Sequence, residues 1–154
     1  VQFSPLGDDP IFQPVETIVQ GLGMSVVECS VSRHRGSVQV KVVLYKAGTI
    51  GVADCSKAHR AILPRLEIAF PGQELYVEVM SPGIDRTLKS AAEFPVYLGR
   101  GVRCYRTDLS DWAAGVVAAA DDRSVTLRSA GGETTLPYAV IGKAKLDYAQ
   151  EVDD

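Results

Sequence analysis

The sequence predicts an α+β protein in two parts: a helix, two strands, a helix and a strand, followed by a small all-β barrel. Three observations predict it. Apolar residues recur at helical spacing near positions 11–22 and 58–62; they alternate strictly within 27–44 and 75–79; and from Val102 onward only short strand patterns occur.

In the first part, "DDPIFQPVETIVQGLG" places Ile11, Val15, Ile18 and Leu22 on one helical face, with Asp9 as N-cap, Pro10 at the first helical position and Gly21 or Gly23 as the stop. Val27, Cys29 and Val31, then Val38, Val40, Val42 and Leu44, alternate on either side of "HRGS", which predicts a β-hairpin. Asp54 is placed to cap a second helix containing Ala58, Ala61 and Ile62, with Lys57 and Arg60 outward. That helix is expected to bend or end near Leu63, because Pro64 lacks the N–H a helix interior needs. Leu75, Val77 and Val79 give a third strand, which stops at Ser81-Pro82-Gly83.

In the second part, "VRCYR", "AAGVVAAAD", "SVTLRS", "ETTLP" and "YAVIGKAKLDY" are short strands separated by turn residues, a pattern that protects its edges best by closing into a barrel. The change of pattern in "LKSAAEF" divides the chain into an N-terminal domain, 1–90, and a C-terminal domain, 91–154. "EVDD" reads as a frayed acidic end.

At 154 residues, 46% hydrophobic and 23% charged, the chain is too apolar for wholesale disorder. No run approaches the roughly 18–20 apolar residues that cross a bilayer, and the beginning lacks a basic segment followed by an apolar one, so a cytoplasmic protein without membrane attachment is expected. Cys29, Cys55 and Cys104 are widely spaced, with only His34 and His59 to assist. Buried thiols are expected rather than disulfides or zinc ligands, and no cofactor or metal is implied.

Several motifs carry bland readings. In "GLGMSV" Val26 stands where a dinucleotide loop needs its third glycine, and the glycines precede a strand, so they stop a helix. No phosphate loop, nucleophile elbow or zinc-hydrolase motif occurs. Asp54, Ser56 and His59 fall on one helix with no oxyanion donor beside them, and no catalytic residue is assigned. His34 and Arg35 are hairpin-tip residues. Trp112 is expected in a loop between the first two barrel strands, packing over the barrel end or stacking on a base or a partner side chain.

The net charge of −3 argues against coating nucleic acid by bulk electrostatics. One stretch is locally positive: between 85 and 106, Arg86, Lys89, Arg100, Arg103 and Arg106 face only Asp85 and Glu93, which suits contact with phosphates or an acidic partner. It begins at the Ser81-Pro82-Gly83 corner, where proline fixes one turn torsion and glycine accepts a positive φ. Asp85 is placed to accept turn N–H groups or to pair with Arg86.

The stretch "YVEVMSPGIDRTLKSAAEFPVYLGRGVRCY" resembles the signature region of the bacterial ribosome maturation factor RimP family, a strand and S-P-G-x-D-R turn, a short helix ending in Phe, and G-R opening the second domain. "LGMSVVECSV", "GTIGVADCSKAHRAI" and "GGETTLPYAVIGKAKLDY" resemble further parts of that family. Met80 replaces a serine, Thr87 a usual proline and Ala53 a common acid, while Pro64 interrupts the second helix; without proline at 87 a more mobile linker is expected.

The resemblance implies an N-terminal α+β domain joined to a C-terminal SH3-like barrel. It implies a noncatalytic, cytoplasmic factor that binds immature small ribosomal subunits and assists rRNA folding and incorporation of the basic ribosomal protein of the decoding centre. In this reading Arg86, Lys89, Arg100, Arg103 and Arg106 face rRNA or ribosomal protein, Ser81, Pro82, Gly83, Asp85 and Arg86 form an interdomain corner, and the protein is a monomer. Two rival classes are a generic RNA-binding or translation-regulatory module and an enzyme acting on RNA through Asp85 or His59.

Overall fold

The computed structural model describes residues 1–48 and 50–151. Its contacts separate two compact units, Leu6–Pro82 and a second made of Val1–Pro5 together with the chain from Gly83 onward. The division falls ahead of the 90/91 boundary read from sequence because residues 86–90 already bond within the second unit. Leu146 N–H donates to the Arg86 carbonyl and Leu88 N–H to that of Ala144, both at 2.9 Å, and the Ser90 hydroxyl donates to the Ser4 carbonyl at 2.6 Å.

In the first unit, helix α1 spans Phe12–Gly21, starting slightly later than expected. Its N-cap is Ile11, with no side-chain cap bond, rather than Asp9, whose carboxylate accepts the Ile11 N–H at 3.0 Å in the turn ahead of the helix. At the exit Gly23 adopts φ +80, its N–H donates to Gln20 O and that of Met24 to Val19 O, the paired bonds of a Schellman stop. Ile11, Val15 and Val19 are the buried stripe, with Ile18 and Leu22 packed at its margin.

Strands β1 (Ser25–His34) and β2 (Ser37–Tyr45) form the hairpin, with His34 opposite Ser37 across Arg35-Gly36. The simple alternation of Val27 with Cys29 fails, because a bulge between Val26 and Glu28 shifts the register. Val26, Cys29 and Val31 face the core instead. Strand β3 (Glu74–Met80) pairs parallel to β2, so the sheet order is β1-β2-β3 and helix α2 (Val52–Ala69) is the crossover that parallel pairing requires.

Helix α2 corrects two expectations. Gly51 is its N-cap and Asp54 its third residue, with the Asp54 carboxylate accepting the Gly51 N–H at 3.0 Å. Pro64 lies within the helix, which continues to Ala69. Pro64 and Arg60 are both exposed, so the carbonyl deprived of its donor faces water, while Ala58, Ile62 and Leu66 hold the opposite face against the sheet core.

In the second unit a 3-10 helix over Ala91–Tyr97 precedes five strands, β4 (Gly101–Arg106), β5 (Asp111–Ala120), β6 (Ser124–Ser129), β7 (Gly132–Pro137) and β8 (Ile141–Leu146). They form an antiparallel sheet in the order β7-β6-β5-β4-β8. Among the described residues no ladder joins β7 to β8, so the all-β part is a five-stranded sheet rather than a demonstrated closed barrel. Val102, Cys104, Val117, Leu127, Leu136 and Leu146 line its core, and Phe94 stacks on Tyr138 at 5.5 Å. Glu151 lies in a final 3-10 turn, and the remainder of the expected frayed end, 152–154, lies outside the described residues.

Candidate nucleic-acid interface

The S-P-G corner is built differently from its sequence reading. Arg86 N–H donates to Gly83 O at 3.1 Å, so the turn runs Gly83-Ile84-Asp85-Arg86 with glycine as its first residue, and Gly83 does not use a positive φ. Ser81 and Pro82 close the first unit and Gly83 opens the second. Asp85 is exposed and makes no side-chain hydrogen bond or ion pair among the described residues.

Arg86 turns instead to Glu93. Its Nε and Nη2 reach the two carboxylate oxygens at 2.9 and 3.1 Å, with side-chain exposures of 10% for Arg86 and 1% for Glu93. The same carboxylate accepts the Lys89 N–H at 2.8 Å and the Tyr97 hydroxyl at 3.2 Å. Burial, with the Glu93 charge beside it, pushes the Tyr97 phenol far above its ordinary range, so it stays a donor. Arg86 therefore serves a buried network and is withdrawn from any surface role; nothing in the sequence marks Glu93 as its partner beyond the seven-residue separation.

The other basic candidates separate into held and outward groups. Arg100 Nη1 pairs with Glu151 at 3.1 Å and its guanidinium lies 5.8 Å from the Tyr148 ring, while the second Glu151 oxygen accepts the Gly101 N–H. Arg106 makes a two-pronged pair with Asp108 at 3.1 and 2.7 Å. Lys89 is exposed. Arg103 is exposed on β4, with its guanidinium 5.2 Å from the Trp112 ring.

Trp112 lies in β5, not in the loop expected from sequence, and is 45% exposed. Strand register explains its neighbours. Tyr105 stands opposite Trp112 on one side and Lys143 on the other; Arg103 stands opposite Ala114 and Lys145. Directly opposed residues share a sheet face, so Trp112, Tyr105, Lys143, Arg103 and Lys145 occupy one outward face, behind which Cys104 and Ala144 are buried. The Tyr105 and Trp112 rings meet edge to face at 5.4 Å. Lys143 and Lys145 were missed in the sequence reading, although the alternation of "IGKAKL" carries the signal.

The rival catalytic residues do not converge. His59 lines an open cleft of about 680 Å³ with Ser30, Lys41, Tyr76 and Glu78, and it has no hydrogen-bond partner among the described residues. The Asp54 carboxylate is engaged by Gly51 and by Lys46. Among the described residues no cluster of His, Cys, Asp and Glu could hold a metal, and no helix is long and apolar enough to cross a membrane.

A βαβ-containing unit and a five-stranded antiparallel unit, with an outward basic and aromatic face on the latter, define a two-unit α+β protein. Residues 14–85 match the RimP N-terminal domain. Over a span longer than either unit, the chain is 28% identical to the ribosome maturation factor RimP of Borrelia hermsii (strain HS1 / DAH), covering 88% of this chain and 93% of that protein. It is 25% identical to the protein of the same name from Borrelia turicatae (strain 91E135), covering 92% and 96%, and 26% identical to that of Borrelia recurrentis (strain A1), covering 88% and 93%. The chain is thus similar, in its first unit and over most of its length, to proteins of the RimP family.

Proposed function

We propose that this chain is a cytoplasmic, noncatalytic ribosome maturation factor that binds immature small ribosomal subunits and assists rRNA folding and ribosomal-protein incorporation. The observation that carries the reading is the similarity to proteins named ribosome maturation factor, which extends through both units and nearly the full length of those relatives. In this reading the five-stranded sheet corresponds to an SH3-like barrel, and Lys89 and Arg103 remain the surface candidates of the basic run. An acidic protein of net charge −3 suits a very basic ribosomal protein as its second partner, because opposite potentials accelerate encounter and suppress wrong partners.

Depletion of the protein, followed by profiling of ribosomal particles and rRNA ends, is expected to reveal immature small subunits with unprocessed rRNA. An unchanged profile overturns the reading.

The outward row of cations and aromatic rings also favours a second reading, a general RNA-binding or translation-regulatory module. Equal affinity of the purified protein for small-subunit precursors and for unrelated structured RNA would favour that module.

A further inference from the structure

We infer that the outward face of β4, β5 and β8 is a binding platform for single-stranded RNA, on which Trp112 stacks an unpaired base and Arg103, Lys143 and Lys145 hold the adjoining phosphates. Its biological source, rRNA of a maturing particle, rests on the function proposed above; the chemistry of the face does not.

Two cross-strand rows build the platform. Trp112, Tyr105 and Lys143 form one, and Arg103 and Lys145 lie in the next. Strands lie about 4.7–4.9 Å apart and residues two apart on a strand about 7 Å apart, so the five side chains cover a patch the size of two or three nucleotides. One side of the patch carries π surface and the other carries cations, the combination that single-stranded nucleic acid requires because every base has a stackable face and every linkage a negative charge.

Charge pairing distinguishes these cations from the rest of the basic run. Arg86, Arg100 and Arg106 are each committed to a carboxylate, whereas among the described residues Arg103, Lys143 and Lys145 take part in no ion pair. The facing positions on β5 and β8 add no acid to the two rows. Trp112 is held by strand pairing and by the edge of Tyr105 rather than by burial, so it is oriented in advance while nearly half exposed. Arg103 already lies against its ring, and a guanidinium plane is itself a surface on which a base stacks.

Trp112 is the chain's one tryptophan, so its emission reports this face alone. Full-length protein is titrated with a fluorescein-labelled oligouridylate of about 12 nucleotides, a length within the site sizes of single-strand binders, and with duplex RNA of the same length. Tryptophan emission and label anisotropy are followed together. The single strand is expected to bind more tightly than the duplex and to quench Trp112. Trp112→Ala should weaken binding about tenfold. Lys143→Glu with Lys145→Glu, both on the outward face, should weaken it by at least about tenfold and reduce the slope of log affinity against log salt by about 1.4. Binding without quenching, equal affinity for duplex, or unchanged affinity of the double charge reversal overturns the platform and leaves Trp112 as a brace between two strands. If depletion yields immature subunits while the titration is silent, the platform alone fails. If the titration quenches while depletion is silent, the maturation reading alone fails.

Discussion

Arg86 and Glu93 form a two-pronged ion pair at 2.9 and 3.1 Å, seven residues apart, almost wholly removed from solvent. The pair ties the turn at the start of the second unit to the 3-10 helix over Ala91–Tyr97. It is satisfied on both sides, since Glu93 also accepts from Lys89 N–H and the Tyr97 hydroxyl. A buried pair of this kind is weak evidence of net stabilisation, yet costly to break, because the surviving charge has no water to replace its partner.

Glu93→Gln is therefore expected to destabilise the protein by about 3 kcal/mol, read as a lower urea midpoint. Arg86→Met should cost a similar amount while leaving the affinity for single-stranded RNA unchanged once the protein is folded. A large loss of RNA affinity in folded Arg86→Met would return Arg86 to the surface role its sequence position suggested.

Pro64 interrupts the hydrogen-bond ladder of α2 on its exposed face, and the helix persists because Ala58, Ile62 and Leu66 anchor the other side. Pro64→Ala restores a donor to the Arg60 carbonyl and removes the ring. The gain is partly offset by the freer unfolded chain, so a net stabilisation of about 1–2 kcal/mol is expected. A thermal midpoint that fell on this substitution would show that the ring makes contacts the helix depends on.

Strand and helix periodicity made most of the fold legible, because burial of one face leaves a direct imprint on sequence: the stripe Ile11, Val15 and Val19 and the alternation Val38 to Leu44 are both such imprints. What the sequence hid has the opposite character. The bulge at Val26/Glu28 adds one residue without changing composition, and the parallel pairing of β3 with β2 leaves no local mark. The site was half legible for the same reason. Proximity in sequence gathered Arg86, Arg100 and Arg106 into one basic run, but their carboxylate partners lie seven, 51 and two residues away. The cations that stay outward, Lys143 and Lys145, come from the far end of the unit and reach Arg103 and Tyr105 only through the β4–β8 register. Thr87, expected to loosen the linker, instead bridges to Lys145 between two backbone hydrogen bonds.

The three thiols should differ in reactivity. Burial pushes Cys29 up to about 11 and Cys104 up to about 12, with the carboxylates of Asp9 and Glu28 adding to the rise at Cys29. Roughly one Cys29 thiol in a thousand is ionised at pH 8, and the thiolate is the nucleophile. Cys55 is also raised by burial but lies half-exposed on α2. Iodoacetamide near pH 8 is expected to modify Cys55 first and the other two only on unfolding, as peptide mass spectrometry would show. Equal labelling rates for Cys104 and Cys55 in native protein would contradict the buried placement of β4.

Acid should unfold the protein partly through three surface carboxylates. The N–H groups of Arg123 and Ser124 hold Asp121 below its ordinary value of 3.8, Gly51 N–H does the same for Asp54, and Arg106 does so for Asp108. A carboxylate that binds its proton less readily when folded contributes stability that is fully present above its ordinary pKa and is lost as pH falls through the folded value. The midpoint of thermal unfolding is thus expected to be insensitive to these groups near neutrality and to fall as pH drops below about 4. Asp121→Asn keeps Oδ1, which accepts both turn N–H groups, but carries no charge and cannot titrate. It should lower the midpoint at pH 7 and flatten its decline in acid. A decline as steep as the parent's would show that the β5–β6 turn does not hold Asp121 as its two 2.8 Å bonds require.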